Sequence, residues 1–169
     1  MLNKANSLLN TFLLGFCLLA ISTFSFAEQQ TWYFVRHFEK QKALNPSLTE
    51  IGKARAQGLA EFFADKALLQ IYSTDYQRTM QTAIPVASKK GLSIQTYDPS
   101  DLVQFAKEIA NLDHVLVVGH SNTTPELLLL MGGEKVTMSE LDYGSLYILR
   151  KKDGLFQTQV KSISLPSSN

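Results

Sequence analysis

Short apolar runs alternate with longer segments of helical periodicity along most of this chain, and this alternation restricts the fold more than any other feature. The apolar runs are TWYFVR (31–36), LLQIY (68–72), LSIQTY (92–97) and HVLVV (114–118). Segments with apolar residues three and four positions apart follow them, at 49–65, 76–89, 101–111 and 124–131. Short apolar runs are typical of buried strands, and the three-to-four spacing is typical of helices. The alternation predicts an α/β fold, a three-layer α/β/α sandwich with a mostly parallel sheet.

The pattern changes in the last part of the chain. The segments 145–151 and 155–163 flank Lys152-Asp153-Gly154. Asp-Gly between two strand-like segments indicates a tight hairpin turn. The sheet is therefore expected to end in a C-terminal antiparallel hairpin.

The first 27 residues have the features of a secretory signal peptide. Lys4 supplies a positive charge, 11–21 is an apolar run, and Ser25-Phe26-Ala27 places small residues at a cleavage site. This apolar run is shorter than the ~20 residues that span a bilayer. We expect cleavage after Ala27, release of a mature protein that is not inserted in the membrane, and a periplasmic or secreted location. Residues 28–169 then form a single catalytic domain.

Composition limits the kinds of partner and of catalytic group that we expect for this domain. The chain has 169 residues, of which 16 are Lys or Arg and 15 are Asp or Glu. No basic stripe of the kind that follows a nucleic-acid backbone is present in the sequence, so a nucleic-acid partner is not expected. The only cysteine, Cys17, lies in the predicted signal peptide, so no thiolate nucleophile is expected in the mature protein. Any anion site must depend on a few local cations.

Two arginines and two histidines follow the predicted strands closely. Arg36 and His37 come directly after TWYFV, Arg78 follows IYSTDYQ, and His120 follows VLVVG. The carboxyl ends of parallel strands meet at one crevice, where ligands bind. Arginine suits a phosphoryl group because its planar fork binds two oxygens, and a neutral imidazole can attack phosphorus. These four residues therefore predict a site for a phosphorylated small molecule.

Four segments in this order resemble the motifs of the histidine phosphatase superfamily, also called the phosphoglycerate mutase-like family. They are VRHFEK (35–40), LTEIGKARAQGLA (48–60), YSTDYQRTMQTA (72–83) and VVGHSNT (117–123). The resemblance implies that His37 is the nucleophile and becomes phosphohistidine, and that Arg36, Arg78 and His120 hold the phosphoryl oxygens. It implies no metal and no organic cofactor. Asn122 is a further candidate for substrate binding.

The resemblance leaves two questions open, namely the effect of Phe38 and the identity of the proton donor. The family usually has glycine after the Arg-His pair, where this chain has Phe38, which could crowd the pocket. The proton donor is also unassigned. Asp98, just after the third predicted strand, is the first candidate. The alternatives are Glu39, beside the nucleophile, and Asp101, in the first turn of a helix that Ser100 is expected to cap.

The function expected from the sequence is a metal-independent phosphatase that hydrolyses phosphate monoesters through a phosphohistidine, with sugar phosphates of the cell envelope as one substrate class. The alternatives are a mutase or phosphohistidine phosphatase activity, and a catalytically inactive module that binds phosphate or glycan.

Overall fold

The computed structural model describes residues 29–165. The strands of this region are β1 (Gln30–Arg36), β2 (Gln70–Ser73), β3 (Ile94–Thr96), β4 (Val115–Gly119), β5 (Ser145–Lys152) and β6 (Leu155–Ser162). The helices are α1 (Glu50–Phe62), α2 (Gln77–Lys90), α3 (Leu102–Ile109) and α4 (Thr123–Leu130). Each predicted strand and helix in this region is present, with ends that shift by a few residues. The predicted signal peptide lies outside the described residues.

All six of these strands join in one sheet with the order β3-β2-β4-β1-β5-β6. The neighbours from β3 to β1 pair in parallel, whereas β1 pairs with β5 and β5 with β6 in antiparallel fashion. The mostly parallel sheet and the C-terminal hairpin are therefore confirmed. Asp153 and Gly154 in the hairpin turn both have positive φ angles, of 53° and 78°, as expected for an Asp-Gly turn.

Alternate residues of the central strands enter two separate cores. In β1, Tyr33 and Val35 pack in a core shared with α1 and α2, and Trp32 and Phe34 pack in another shared with α3 and α4. Successive strand residues point to opposite faces, so a strand buried on both faces is apolar throughout. The two cores place helices on both sides of the sheet and confirm the three-layer sandwich.

Local signals explain where the helices begin and end. Thr49 caps α1, because its side chain accepts a hydrogen bond from the Gly52 amide. Gly91 ends α2 with a left-handed backbone, φ 65°, that glycine adopts without strain. Helix α2 continues through Pro85 to Lys90. None of the helices between residues 29 and 165 is long and apolar enough to cross a bilayer.

The run of leucines in α4 is only half buried. Leu127 and Leu128 are fully buried, whereas Leu129 and Leu130 are 52% and 43% exposed. A helix whose apolar residues all follow one another must turn some of them away from the core, because only one face contacts the sheet.

Candidate active site

The carboxyl ends of β1 and β4 bring the two predicted histidines together. The two strands pair in parallel with Arg36 opposite Gly119, and the His37 amide donates a hydrogen bond to the Gly119 carbonyl at 2.9 Å. The rings of His37 and His120 consequently lie 5.6 Å apart, centroid to centroid. The crevice expected from the order of strands and motifs is present.

Hydrogen bonding and burial set the tautomer and the charge of the His37 ring. Its Nδ1 lies 2.8 Å from the carbonyl oxygen of Phe38. A carbonyl can only accept, so Nδ1 carries the proton and Nε2 keeps its lone pair. Burial, followed by the charge of Arg36 and by the neighbouring His120 and Arg78, lowers the pKa of His37 to about 3. The ring is therefore neutral at physiological pH.

His120 is oriented by a directional chain of hydrogen bonds. Arg78 Nη2 lies 3.3 Å from His120 Nδ1, and His120 Nε2 lies 2.9 Å from Thr74 Oγ1. A guanidinium only donates, so Nδ1 accepts and Nε2–H donates to Thr74. The Thr74 hydroxyl donates in turn to Thr79 Oγ1 at 3.0 Å. Burial and the charges of Arg78 and Arg36 lower the pKa of His120 to about 4, so this ring is neutral as well.

Arg36 is buried and is fixed by the segment 139–143, which precedes β5. Its Nη1 donates to the backbone carbonyls of Ser139, at 2.8 Å, and Asp142, at 3.3 Å. Its Nη2 donates to Glu140 Oε2 at 3.0 Å, and its guanidinium lies 4.4 Å from the centre of the Tyr143 ring. This segment carries no strand or helix pattern, and its part in positioning Arg36 was not predicted.

Both candidate arginines keep a buried donor unused. Among the described residues, Nε of Arg36 and Nε of Arg78 have no hydrogen-bond partner. A buried donor without a partner is costly. An oxyanion between the two guanidiniums would supply acceptors for such donors, as a phosphoryl group would.

An open cleft of about 400 Å³ lies over this group of residues. Its wall includes His37, Arg78 and His120, and also Asn122, the further substrate-binding candidate from the sequence, whereas the buried Arg36 is not part of the wall. Further polar side chains in the wall are Lys40, Tyr76, Ser100, Ser121 and Glu140. The Tyr76 ring lies 4.5 Å from the guanidinium of Arg78, so it forms one aromatic side of the entrance.

None of the three carboxylates considered from the sequence as proton donors is part of the cleft wall, and each accepts hydrogen bonds from other groups. Asp98 is exposed and accepts hydrogen bonds from the amide and hydroxyl of Ser100, which lower the pKa of its carboxyl. Asp101, and not Ser100, caps α3 by accepting from the Gln104 amide. Glu39 accepts three hydrogen bonds from Arg55. Among the described residues, the Asp98 side chain hydrogen-bonds with Ser100 and with none of Arg36, His37, Arg78 and His120, and its role stays a prediction.

Phe38 does not enter the cleft. Its side chain is fully buried in the core between the sheet and helices α1 and α2. Its amide donates to Thr82 Oγ1 of α2 at 3.2 Å. The expected crowding of the pocket is therefore not found, since the large side chain extends the core on that face of the sheet.

Gly119 is required by packing within the protein. A Cβ atom there would lie 2.8 Å from Thr123 Oγ1 and 2.9 Å from the Tyr97 hydroxyl. The Thr123 hydroxyl also accepts the His120 amide at 2.9 Å. The missing side chain thus lets α4 approach β4 closely enough to fix the backbone of His120.

Residues 29–165 contain no group of three or more His, Cys, Asp or Glu side chains arranged to hold a metal ion. The polar side chains in the cleft wall are cations, imidazoles, hydroxyls, one amide and one carboxylate. Such a set suits an oxyanion.

Comparison with known proteins finds the same family that the four sequence motifs resemble. The sequence model of the histidine phosphatase superfamily (branch 1) matches residues 30–99, which include Arg36, His37 and Arg78. The sequence has no significant match among curated proteins.

Solved structures share the fold at low sequence identity. The mycobacterial glucosyl-3-phosphoglycerate phosphatase Rv2419c superposes with a TM-score of 0.62 at 13% identity, covering 81% of this chain and 100% of its own. YhfR of Bacillus stearothermophilus gives 0.62 at 18% identity, with 80% and 98% covered. SixA of Agrobacterium tumefaciens, provisionally assigned as a phosphohistidine phosphatase, gives 0.60 at 21% identity, with 82% and 98% covered. The matched segment bears out the resemblance of the motifs to the histidine phosphatase superfamily, and the chain shares the fold of these solved structures.

Proposed function

We propose that this protein is a metal-independent phosphatase that hydrolyses phosphate monoesters through a phosphohistidine at His37. One observation carries the proposal. A buried, neutral imidazole with its Nδ1 proton held by the Phe38 carbonyl lies beside His120 and Arg78 in an open cleft. A neutral ring with a free Nε2 lone pair is a nucleophile at neutral pH without help from a metal.

The reaction follows from these contacts. The phosphoryl group binds between the guanidiniums of Arg36 and Arg78, and His37 Nε2 attacks phosphorus in line with the leaving oxygen. The N–P bond forms as the P–O bond breaks, and the positive charge that develops on the ring is stabilised by the Nδ1–H bond to the Phe38 carbonyl. Water then attacks phosphorus, the N–P electron pair returns to Nε2, and phosphate leaves. The two arginines and His120 supply charges and dipoles that are already in place for the transition state.

The shape of the cleft supports small exposed monoesters as substrates. The connection between β3 and α3, which contributes Ser100 to the wall, spans only 97–101. A cleft of about 400 Å³ with an aromatic side at Tyr76 suits a sugar-sized leaving group. We propose sugar phosphates of the cell envelope as one such class.

Trapping of the covalent intermediate tests the proposed function. The protein is incubated with a chromogenic phosphomonoester in the presence of EDTA, quenched with base and digested for mass spectrometry. We expect turnover that survives EDTA and a phosphoryl group on the peptide that contains His37. Turnover that disappears with EDTA, or phosphate binding without turnover across a broad panel of monoesters, would contradict it; the second result would favour an inactive binding module.

Export is the other part of this proposal. Cleavage after Ala27 is supported by Lys4, the apolar run 11–21 and the small residues before the cleavage site. Intact-mass measurement of protein from an osmotic-shock fraction should give a chain that begins at Glu28. Replacing Ala27 with a bulky residue should leave the precursor uncut. A chain that keeps its first residues in the wild type would show that the segment is retained.

A further inference from the structure

Hydrolysis of an alkyl phosphate at His37 needs a proton donor for the leaving oxygen. If the proposed function holds, this donor must reach the cleft that His37 lines. Among the described residues in the cleft wall, Glu140 is the only carboxylate. Asp98 accepts from Ser100, Asp101 caps the N-terminus of α3, and Glu39 accepts from Arg55.

The position of Glu140 is set by the groups that would hold the substrate. Its Oε2 accepts from Arg36 Nη2 at 3.0 Å, and its Oε1 accepts from the hydroxyl of Ser121, the residue after His120. Its side chain is 74% exposed, whereas that of Arg36 is 2% exposed. The carboxylate therefore bridges the buried anion-binding groups and solvent, and can exchange protons with water.

We propose that Glu140 is the acid–base residue of this phosphatase. In the first step the Glu140 carboxyl gives its proton to the leaving oxygen as the P–O bond breaks and the His37–phosphorus bond forms, so the alcohol leaves and Glu140 becomes a carboxylate. In the second step the carboxylate takes a proton from the attacking water as the N–P bond breaks. Phosphate leaves, His37 regains its lone pair, and Glu140 is protonated again.

Substrate binding provides the reason for Glu140 to take up a proton. In the free protein, the hydrogen bond from Ser121 and the charge of Arg36 lower the pKa of the Glu140 carboxyl. A bound phosphoryl group neutralises Arg36 and adds negative charge next to the carboxylate. Both changes favour the protonated acid, because a nearby like charge disfavours ionisation.

The dependence on the leaving group tests the assignment. Glu140→Gln keeps the acceptor oxygen and the volume but cannot transfer a proton. We expect its kcat/KM for an alkyl monoester such as glycerol phosphate to fall by about 10²-fold or more. For nitrophenyl phosphate, whose leaving group departs without protonation, kcat/KM should change little. Its kcat should fall, with a burst of nitrophenolate, because hydrolysis of the phosphohistidine has lost its base.

Glu134→Gln is the matched control, since Glu134 is an exposed carboxylate on the same connection between α4 and β5 and lies outside the cleft wall. We expect its kcat and kcat/KM on both substrates to equal those of the wild type. An equal loss of kcat/KM on both substrates would show that Glu140 only positions Arg36. An equal gain of kcat/KM on both substrates would show that the Glu140 carboxylate competes with substrate for Arg36. A loss of kcat/KM on the alkyl monoester in Asp98→Asn, with none in Glu140→Gln, would assign the proton donor to Asp98. Each of these results overturns the proposal, and none affects the trapped phosphohistidine of the wild type, which tests the proposed function separately.

Discussion

Replacement of His37 with alanine is expected to lower kcat by on the order of 10⁵-fold or more, the scale of effect seen when an enzyme loses its covalent nucleophile. The reason is that the remaining groups can bind a phosphoryl group but have no lone pair aimed at phosphorus. The buried ring is neutral, and its Nδ1 proton is fixed by the Phe38 carbonyl 2.8 Å away. Binding of inorganic phosphate, measured by calorimetry, should persist in this variant because Arg36 and Arg78 are unchanged.

His114→Ala is the matched control for this experiment. His114 lies just before β4, at the end away from His120, and its side chain contacts Asp113 at 2.7 Å. We expect it to retain full turnover. The nucleophile would be misassigned if His37→Ala kept substantial turnover, or if a phosphoryl group were still trapped on that variant.

Arg78→Ala is expected to lower kcat/KM about a hundredfold, equivalent to about 3 kcal/mol of transition-state stabilisation. Arg78 faces the cleft, donates to His120 Nδ1 at 3.3 Å and stacks on Tyr76. Its loss removes a charged clamp on the phosphoryl group and one of the two hydrogen bonds that orient the His120 ring. Arg78→Lys should recover only part of the rate, because an ammonium is a point charge and cannot bind two oxygens in a fork.

Arg150→Ala provides the comparison. Arg150 makes a hydrogen bond to Gln159 within the C-terminal hairpin and pairs with Thr31, at the opposite end of β1 from Arg36. The same loss of charge and volume there should leave steady-state kinetics unaltered. Equal rates for Arg78→Ala and the wild type would mean that Arg78 does not contact the phosphoryl group.

The strands and the four central residues were predictable because each depends on local pattern. A strand buried on both faces is apolar throughout, so TWYFV and VLVV are visible in the sequence, and the residue after each strand must lie at the edge of the sheet. Arg36, His37 and His120 follow directly from that rule. Arg78 was grouped with them as a residue that follows a predicted strand, although it lies in the first turn of α2 and not at a strand end.

The direction of a side chain and the partners of a carboxylate were not predictable in this way. Phe38 could have pointed to the cleft or to the core, and only the packing of α1 and α2 on the sheet shows that it fills the core. Asp98 has the right place in the sequence for a proton donor, yet its carboxylate is engaged by Ser100. Glu140 lies in a segment without periodicity, and it reaches the cleft because this segment wraps around Arg36.

Hydrophobic periodicity and strand order depend on residues close together in the chain, so the layers, the sheet and the residues at its carboxyl edge could be predicted without coordinates. The tautomer of each histidine, the groups that fix Arg36 and the carboxylate that enters the cleft became known from the folded structure. The tautomer of His120 depends on Arg78 and Thr74, which lie 42 and 46 positions away. The surroundings of Arg36 depend on contacts more than a hundred positions apart, such as that with Glu140, and no local pattern encodes such contacts.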